Sequence, residues 1–207
     1  GRPFLLRQLG WLADHGVGEA VLCVGHGAAQ VREALGARAA GVALAYSEEP
    51  GPLGTRGGLA LARPHVTGSA LVLNGDTLAP CDPWALERER WERGALGALA
   101  LFEVPDACAR GRVECDDARR IVRFVEKDES WRGLAWGHGG VAAFSGALWR
   151  DLPPGPGSLE REVLPRLAAE GRLVGVRCPG TFWDIGTPED WERADRELGG
   201  AAGGEGA

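Results

Sequence analysis

The sequence predicts an α/β protein: a Rossmann-like, mostly parallel sheet flanked by helices, with a small antiparallel insertion. Three observations predict it. Apolar runs of strand length alternate with segments of helical periodicity, the order in which crossover helices join parallel strands. Several runs, such as "ALVL" at 70–73, are too uniformly apolar to keep a solvated face. From Gly111, "GRVECDD" and "RIVRFVEK" alternate polar and apolar residues around a polar turn at 116–119, which is the pattern of a hairpin.

Each element follows in order. "PFLLRQLGWLADHG" carries Phe4, Leu5, Leu9 and Leu12 at helical spacing, with Pro3 suited to the first turn and Gly16 to the stop. "EAVLCVG" reads as a buried strand, "AAQVREALG" as a helix closed by Gly36, and "GVALAYS" as a strand. A Gly/Pro-rich loop, "SEEPGPLGTRGG", leads through a short helix "LALA" to the strand "ALVLN". Asp82 then caps a helix whose first residue is Pro83, "WALERERWERG", and the strand "ALGALALFEV" follows. After the hairpin come a strand "HGGVAAFSG", a helix "SLEREVLPRLAAEG", a strand "RLVGVRC" and a short strand end "FWDIG". Thr187, Pro188 and Asp190 open the last helix in the manner of a capping box. The expectation is one domain over 1–198 and a disordered tail over 199–207, where bulky residues are scarce.

Composition excludes several function classes. With 44% hydrophobic and 25% charged residues, the 207-residue chain can bury a sizeable core. A formal net charge of −6 speaks against nucleic acid as partner, because that affinity rests on clustered positive charge. No apolar run reaches the roughly 20 residues that span a bilayer, and no leader pattern opens the sequence, so no membrane partner and a cytoplasmic location are expected. Cys23, Cys81, Cys108, Cys115 and Cys178 form an odd set without a CxxC pair, which argues against a disulfide framework or a zinc site. Association of identical copies is left open.

The chemistry centres on strand ends. In parallel sheets ligands bind beyond the carboxyl ends of the strands. Asp76 stands there after a buried strand, with Gly75 before it to let the chain turn, and Asp184 stands in the same setting ahead of Ile185 and Gly186. Each carboxylate alone reads equally well as a loop cap. Together they can converge on one magnesium ion, which binds through one or two carboxylates plus substrate phosphates. Lys127 is the only lysine among 23 basic residues, which invites a reason for its retention.

"LVLNGDTL", "EEPGPLGTRGGLALA", "FVEK" and "GTFWDIGTPEDW", in this order and spacing, resemble the motifs of sugar-1-phosphate nucleotidyltransferases. The nearest branch is the mannose-1-phosphate and D-glycero-D-manno-heptose-1-phosphate guanylyltransferases, and the resemblance runs from Gly1 to about Leu198. It implies a GT-A type fold and transfer of a nucleoside monophosphate from an NTP, GTP above all, to a sugar 1-phosphate. It implies that pyrophosphate is released and that the NDP-sugar feeds cell-surface polysaccharide synthesis. It implies Mg2+ held by Asp76 and Asp184, and a nucleotide site made of Leu53, Gly54, Thr55, Arg56, Gly57, Gly58, Asn74 and Gly75. It implies a sugar site of Gly111, Glu126 and His138, with Lys127 meeting the sugar phosphate as a compact point charge.

Two departures qualify the resemblance. The family's first strand and its GxGTR loop with a following Lys-Pro pair are not in this sequence, so the expectation is an N-terminally truncated domain. His138 and Gly139 stand where the family has Asn and Ala, which makes His138 either a sugar ligand or a packing choice. Trp131 and Trp136 flank the same region and are candidates for stacking on a substrate ring. Two alternatives stay open. One is a non-catalytic, sugar-nucleotide-binding or regulatory subunit of the same fold, and the other is a uridylyl- or thymidylyltransferase.

Overall fold

The structure is a computed structural model that describes residues 3–105, 111–126 and 131–200, with residues 199 and 200 described by backbone alone. It is α/β, with eleven strands among the described residues arranged in three sheets. Helix α1 (Phe4–Asp14) precedes β1 (Glu19–Val24), α2 (Ala28–Leu35), β2 (Arg38–Ala39) and β3 (Val42–Glu48). β1 and β3 pair in parallel, Glu19 opposite Ala43 through Val24 opposite Glu48, and β2 folds back on β3. Next come α3 (Gly54–Ala62), β4 (Ala70–Leu73), β5 (Thr77–Leu78), α4 (Pro83–Glu92) and β6 (Gly97–Val104). The second half holds β7 (Arg112–Cys115), β8 (Ile121–Val125), β9 (Ala135–Phe144), α5 (Gly146–Asp151), α6 (Leu164–Ala169), β10 (Leu173–Arg177), β11 (Trp183–Asp184) and α7 (Pro188–Gly200).

The six-stranded sheet runs β10-β6-β9-β7-β8, with β4 also on β9. β10 and β6 are parallel, but β9 runs against β4, β6 and β7. The α/β class is therefore as expected, while neighbour pairing is mixed rather than mostly parallel. The reason lies in β9: the β7–β8 hairpin separates it from β6, so the chain returns without a crossover helix and enters the sheet antiparallel. The core lies on both faces of this sheet. Leu99, Leu101, Phe144, Leu164, Leu167 and Leu173 fill one side, and Ala98, Ala100, Phe102, Val141 and Leu86 the other.

Several boundaries differ from the sequence reading. The Gly-rich stretch is helical from Gly54, so only Leu53 of the expected nucleotide loop precedes α3. Gly54 and Gly57 pack where a Cβ would approach the carbonyl oxygens of Gly157 and Gly155 to 2.6 Å, so their lack of a side chain serves helix packing. The helix expected over 158–171 opens with a π turn, Leu159–Val163, before α6. α7 continues through Gly199 and Gly200, the first two residues of the expected tail, and residues 201–207 lie outside the described residues. No helix among the described residues is long and apolar enough to cross a membrane.

β1 pairs on one edge only and β4 on one edge only, among the described residues. Between them opens a cleft of 1460 Å³, lined by consecutive residues of both strands and by Leu5, Gln8, Leu9 and Leu12 of α1. This cleft positions the site.

Candidate functional site

Asn74 to Thr77 form a tight turn at the end of β4, closed by the Thr77 N–H donating to Asn74 O at 3.3 Å. The turn is fixed from several sides. Asn74 N–H donates to Gly140 O at 2.9 Å, and Gly140 adopts a φ of +69° that favours glycine. The N–H of Ile185 donates to Asp76 O at 2.9 Å. From α1, the Gln8 side chain donates to Asn74 O at 2.7 Å and to Thr77 O at 2.5 Å. Asn74, Gly75 and Asp76 are exposed at the cleft, which they line.

β5 leaves this turn and pairs antiparallel with β11, setting Asp184 opposite Thr77. Two acidic residues 108 positions apart in the chain thus flank one short pairing: Asp184 stands opposite Thr77, and Asp76 directly precedes Thr77. Asp184 Oδ1 accepts from Gly186 N at 2.8 Å, and Asp76 Oδ1 accepts from the Thr77 hydroxyl at 3.2 Å. These are hard oxygen donors. Among the described residues no group of three metal-ligating side chains occurs, so a metal held here must complete its shell with substrate oxygens and water. That donor set fits Mg2+, which keeps several waters and takes one or two carboxylates.

The second wall of the cleft is the start of α3. Gly54, Thr55 and Gly58 line it together with Glu49 and Glu160, whereas Leu53 and Gly57 do not. Glu49 accepts the Leu53 N–H at 2.9 Å, and Thr55 donates its hydroxyl to Glu160 at 2.6 Å while accepting from Leu159 N at 2.8 Å. Arg56 points the other way. Its buried guanidinium donates to Pro153 O and Pro156 O, both at 2.6 Å, and to Glu162 at 2.9 Å, so it anchors the helix start rather than facing the cleft.

The three expected sugar-site residues also come together. His138 N–H donates to Gly111 O at 3.0 Å, and a Cβ on Gly111 would lie 3.3 Å from the Glu126 carboxylate. None of the three lines the cleft itself. Burial pushes the pKa of His138 below the usual imidazole value, against the smaller upward pull of Ala100 O and Glu160. Its ring packs on Phe124 with centroids 6.3 Å apart, so His138 offers a neutral imidazole rather than a cation to any phosphate. Lys127 lies outside the described residues. Trp131 and Trp136 already carry Arg112 and Arg177 over their rings, at 4.4 and 4.8 Å, which leaves each with an internal stacking partner. The four cysteines among the described residues are free, and Cys108 lies outside them.

Sequence reasoning missed Gln8. Its signal was present: it occupies a stripe position of α1, three residues after Leu5 and four before Leu12, where an apolar residue is expected.

The profile of the nucleotidyl transferase family matches residues 1–199. The mannose-1-phosphate guanylyltransferase catalytic subunit beta of Drosophila pseudoobscura pseudoobscura is 31% identical over 195 residues, covering 92% of this chain and 52% of its own. That of Danio rerio is 31% identical over 196 residues, covering 92% and 54%. The chain therefore spans about half the length of these curated relatives. Among solved structures, HddC from Yersinia pseudotuberculosis complexed with GMP-PN superposes with a TM-score of 0.80 at 26% identity, over 96% of this chain and 86% of that one. A putative glucose-1-phosphate thymidylyltransferase from Bacillus anthracis shares the fold, with a TM-score of 0.78 at 18% identity over 95% and 83%.

Proposed function

From the premise that the chain belongs to the nucleotidyl transferase family, we propose that it serves guanylyl transfer from GTP to a sugar 1-phosphate, releasing pyrophosphate. The observation that supports this reading is the β5–β11 ladder, in which Asp184 pairs with Thr77, the neighbour of Asp76, beside a cleft lined by Asp76 and by the start of α3. A phosphate oxygen of the sugar attacks the α-phosphorus, a new P–O bond forms, and the bond to the β-phosphate oxygen breaks as pyrophosphate leaves. Both reactants are anions, so the work is positioning and charge compensation.

Asp76 and Asp184 are the residues that would hold Mg2+, which when bound offsets phosphoryl charge. Gly54, Thr55 and Gly58, with Asn74 and Gly75, border the nucleotide. Leu53 and Gly57 serve from behind, by shaping the start of α3. Glu126 accepts from sugar hydroxyls, Gly111 leaves room beside it, and the role proposed for Lys127, which lies outside the described residues, is to neutralise the sugar phosphate. His138 acts as a neutral hydrogen-bonding group. The choice of guanine is supported by the names of the relatives, and the NDP-sugar would supply a glycosyl donor for cell-surface polysaccharide.

The test is pyrophosphate release from GTP, UTP or dTTP with mannose 1-phosphate and heptose 1-phosphate, for the wild-type chain and Asp184→Asn. The expected result is release with GTP that falls by about 100-fold or more in the variant, in the range typical of a lost transition-state contact. Release with UTP or dTTP alone would reassign the base. Tight binding of a GDP-sugar without any release would favour a binding or regulatory subunit.

A further inference from the structure

Resting on that reading, we propose that Gln8 is a positioning residue: one buried amide on α1 fixes the turn that presents Asp76. Gln8 is 3% exposed, although α1 otherwise buries leucines on this side. Its nitrogen reaches Asn74 O at 2.7 Å and Thr77 O at 2.5 Å, the two carbonyls that bracket Gly75 and Asp76. Both partners are acceptors, so the amide must present its NH2 group, and its two protons serve the two carbonyls. The turn has exposed residues at its tip and a glycine at its second position, so it has little packing of its own to hold it. Gly140 secures its start and Ile185 secures Asp76 O, but neither reaches Thr77 O. Gln8 alone among these ties both ends of the turn to one rigid element.

The chemistry of the side chain follows. Methionine at position 8 would keep the length and volume but remove both donors. Glutamate would keep the shape and, when ionised, set a carboxylate against two carbonyl oxygens. When protonated, glutamate has a single O–H to donate. Leucine at this position would complete the apolar stripe of α1, so burial alone does not call for an amide.

The test uses the full chain and a readout without turnover: calorimetric titration of Mn2+ in the presence of GTP. Gln8→Met is expected to weaken Mn2+ binding by about 10-fold to 100-fold, the usual cost of losing a group that orients a metal ligand. GTP binding without metal should fall by less than Mn2+ binding does, and Asp76→Asn should abolish the Mn2+ response. If Gln8→Met binds Mn2+ like wild type while Asp76→Asn does not, the positioning role is overturned and the metal assignment stands. If Asp76→Asn also binds like wild type, the metal assignment itself fails. Gln8→Glu keeps the proposal falsifiable should Gln8→Met fold poorly. Relative to wild type, its Mn2+ affinity should fall as pH rises and the glutamate ionises, and a pH profile parallel to wild type would overturn the role.

Discussion

Arg56 sits in the Gly-rich stretch that the sequence singles out, yet it works behind the site. Its guanidinium satisfies two backbone carbonyls of the 153–157 segment and one carboxylate, and the N–H of Arg56 donates to Gly157 O at 3.0 Å. Arg56→Ala would leave those carbonyls without donors in a buried place, and a loss of about 3 kcal/mol in urea unfolding is expected. Glu162→Gln should cost much less, because Glu162 is half exposed and water replaces its contact. Equal losses from the two variants would show that the ion pair, not the carbonyl clamp, carries the stability. At this scale Asp76 and Asp184 were legible, since an acid after an apolar run signals a strand end. The partners of Gln8 and the orientation of Arg56 were not, because both depend on contacts with residues 66 to 106 positions away.

At the scale of elements, the caps read from sequence hold in detail. Asp82 accepts from Trp84 N at 2.9 Å to open α4, and Thr187 accepts from Asp190 N at 3.1 Å to open α7. The elements that sequence missed are those made by partners. β5 is two residues long, too short to show a period, and exists because it pairs with β11, the strand end that "FWDIG" announces. The direction of β9 was likewise invisible, since an antiparallel strand buried on both faces reads like a parallel one. α4 illustrates how an element is tied to its surroundings. Arg90 is buried and holds Glu87 through two hydrogen bonds, at 2.5 and 2.8 Å, while also reaching Ser69 and Ala95 O. The hydrogen bond from Arg90 lowers the pKa of Glu87 below its ordinary 4.5, with the Arg90 charge and Ser69 adding to it and burial opposing. A carboxyl with a lowered folded pKa contributes stability above its unfolded value and loses it as pH falls through the folded one. Glu87→Gln should therefore flatten the acid side of the stability profile, measured by thermal melts below neutral pH. An unchanged profile would assign acid sensitivity to other carboxylates.

At the scale of the whole molecule, the two larger of the three sheets among the described residues are held across the cleft by α1 and α3 rather than by a continuous ladder. Leu9 and Leu12 of α1 pack with Val42 of β3 and touch Leu71 and Leu73 of β4, so the helix spans both sides. The α/β class was legible because each half has its own periodic pattern. The cleft was not, because strand order and spacing are set by tertiary packing and leave no mark on local periodicity.

For a chain of these 207 residues alone, the cleft-facing edges of β1 and β4 have a colloidal consequence. Each exposes backbone donors and acceptors that pair with nothing among the described residues, and neither strand carries a lysine or proline to discourage pairing. At pH 7 a formal net charge of −6 keeps copies apart, but the sequence pI is near 5.3, where that repulsion vanishes. Turbidity near that pH should come with thioflavin T fluorescence, as strand edges of different copies find one another. A precipitate that leaves the dye dark would mean that the edges stay closed to other chains, and that the cleft guards its own walls.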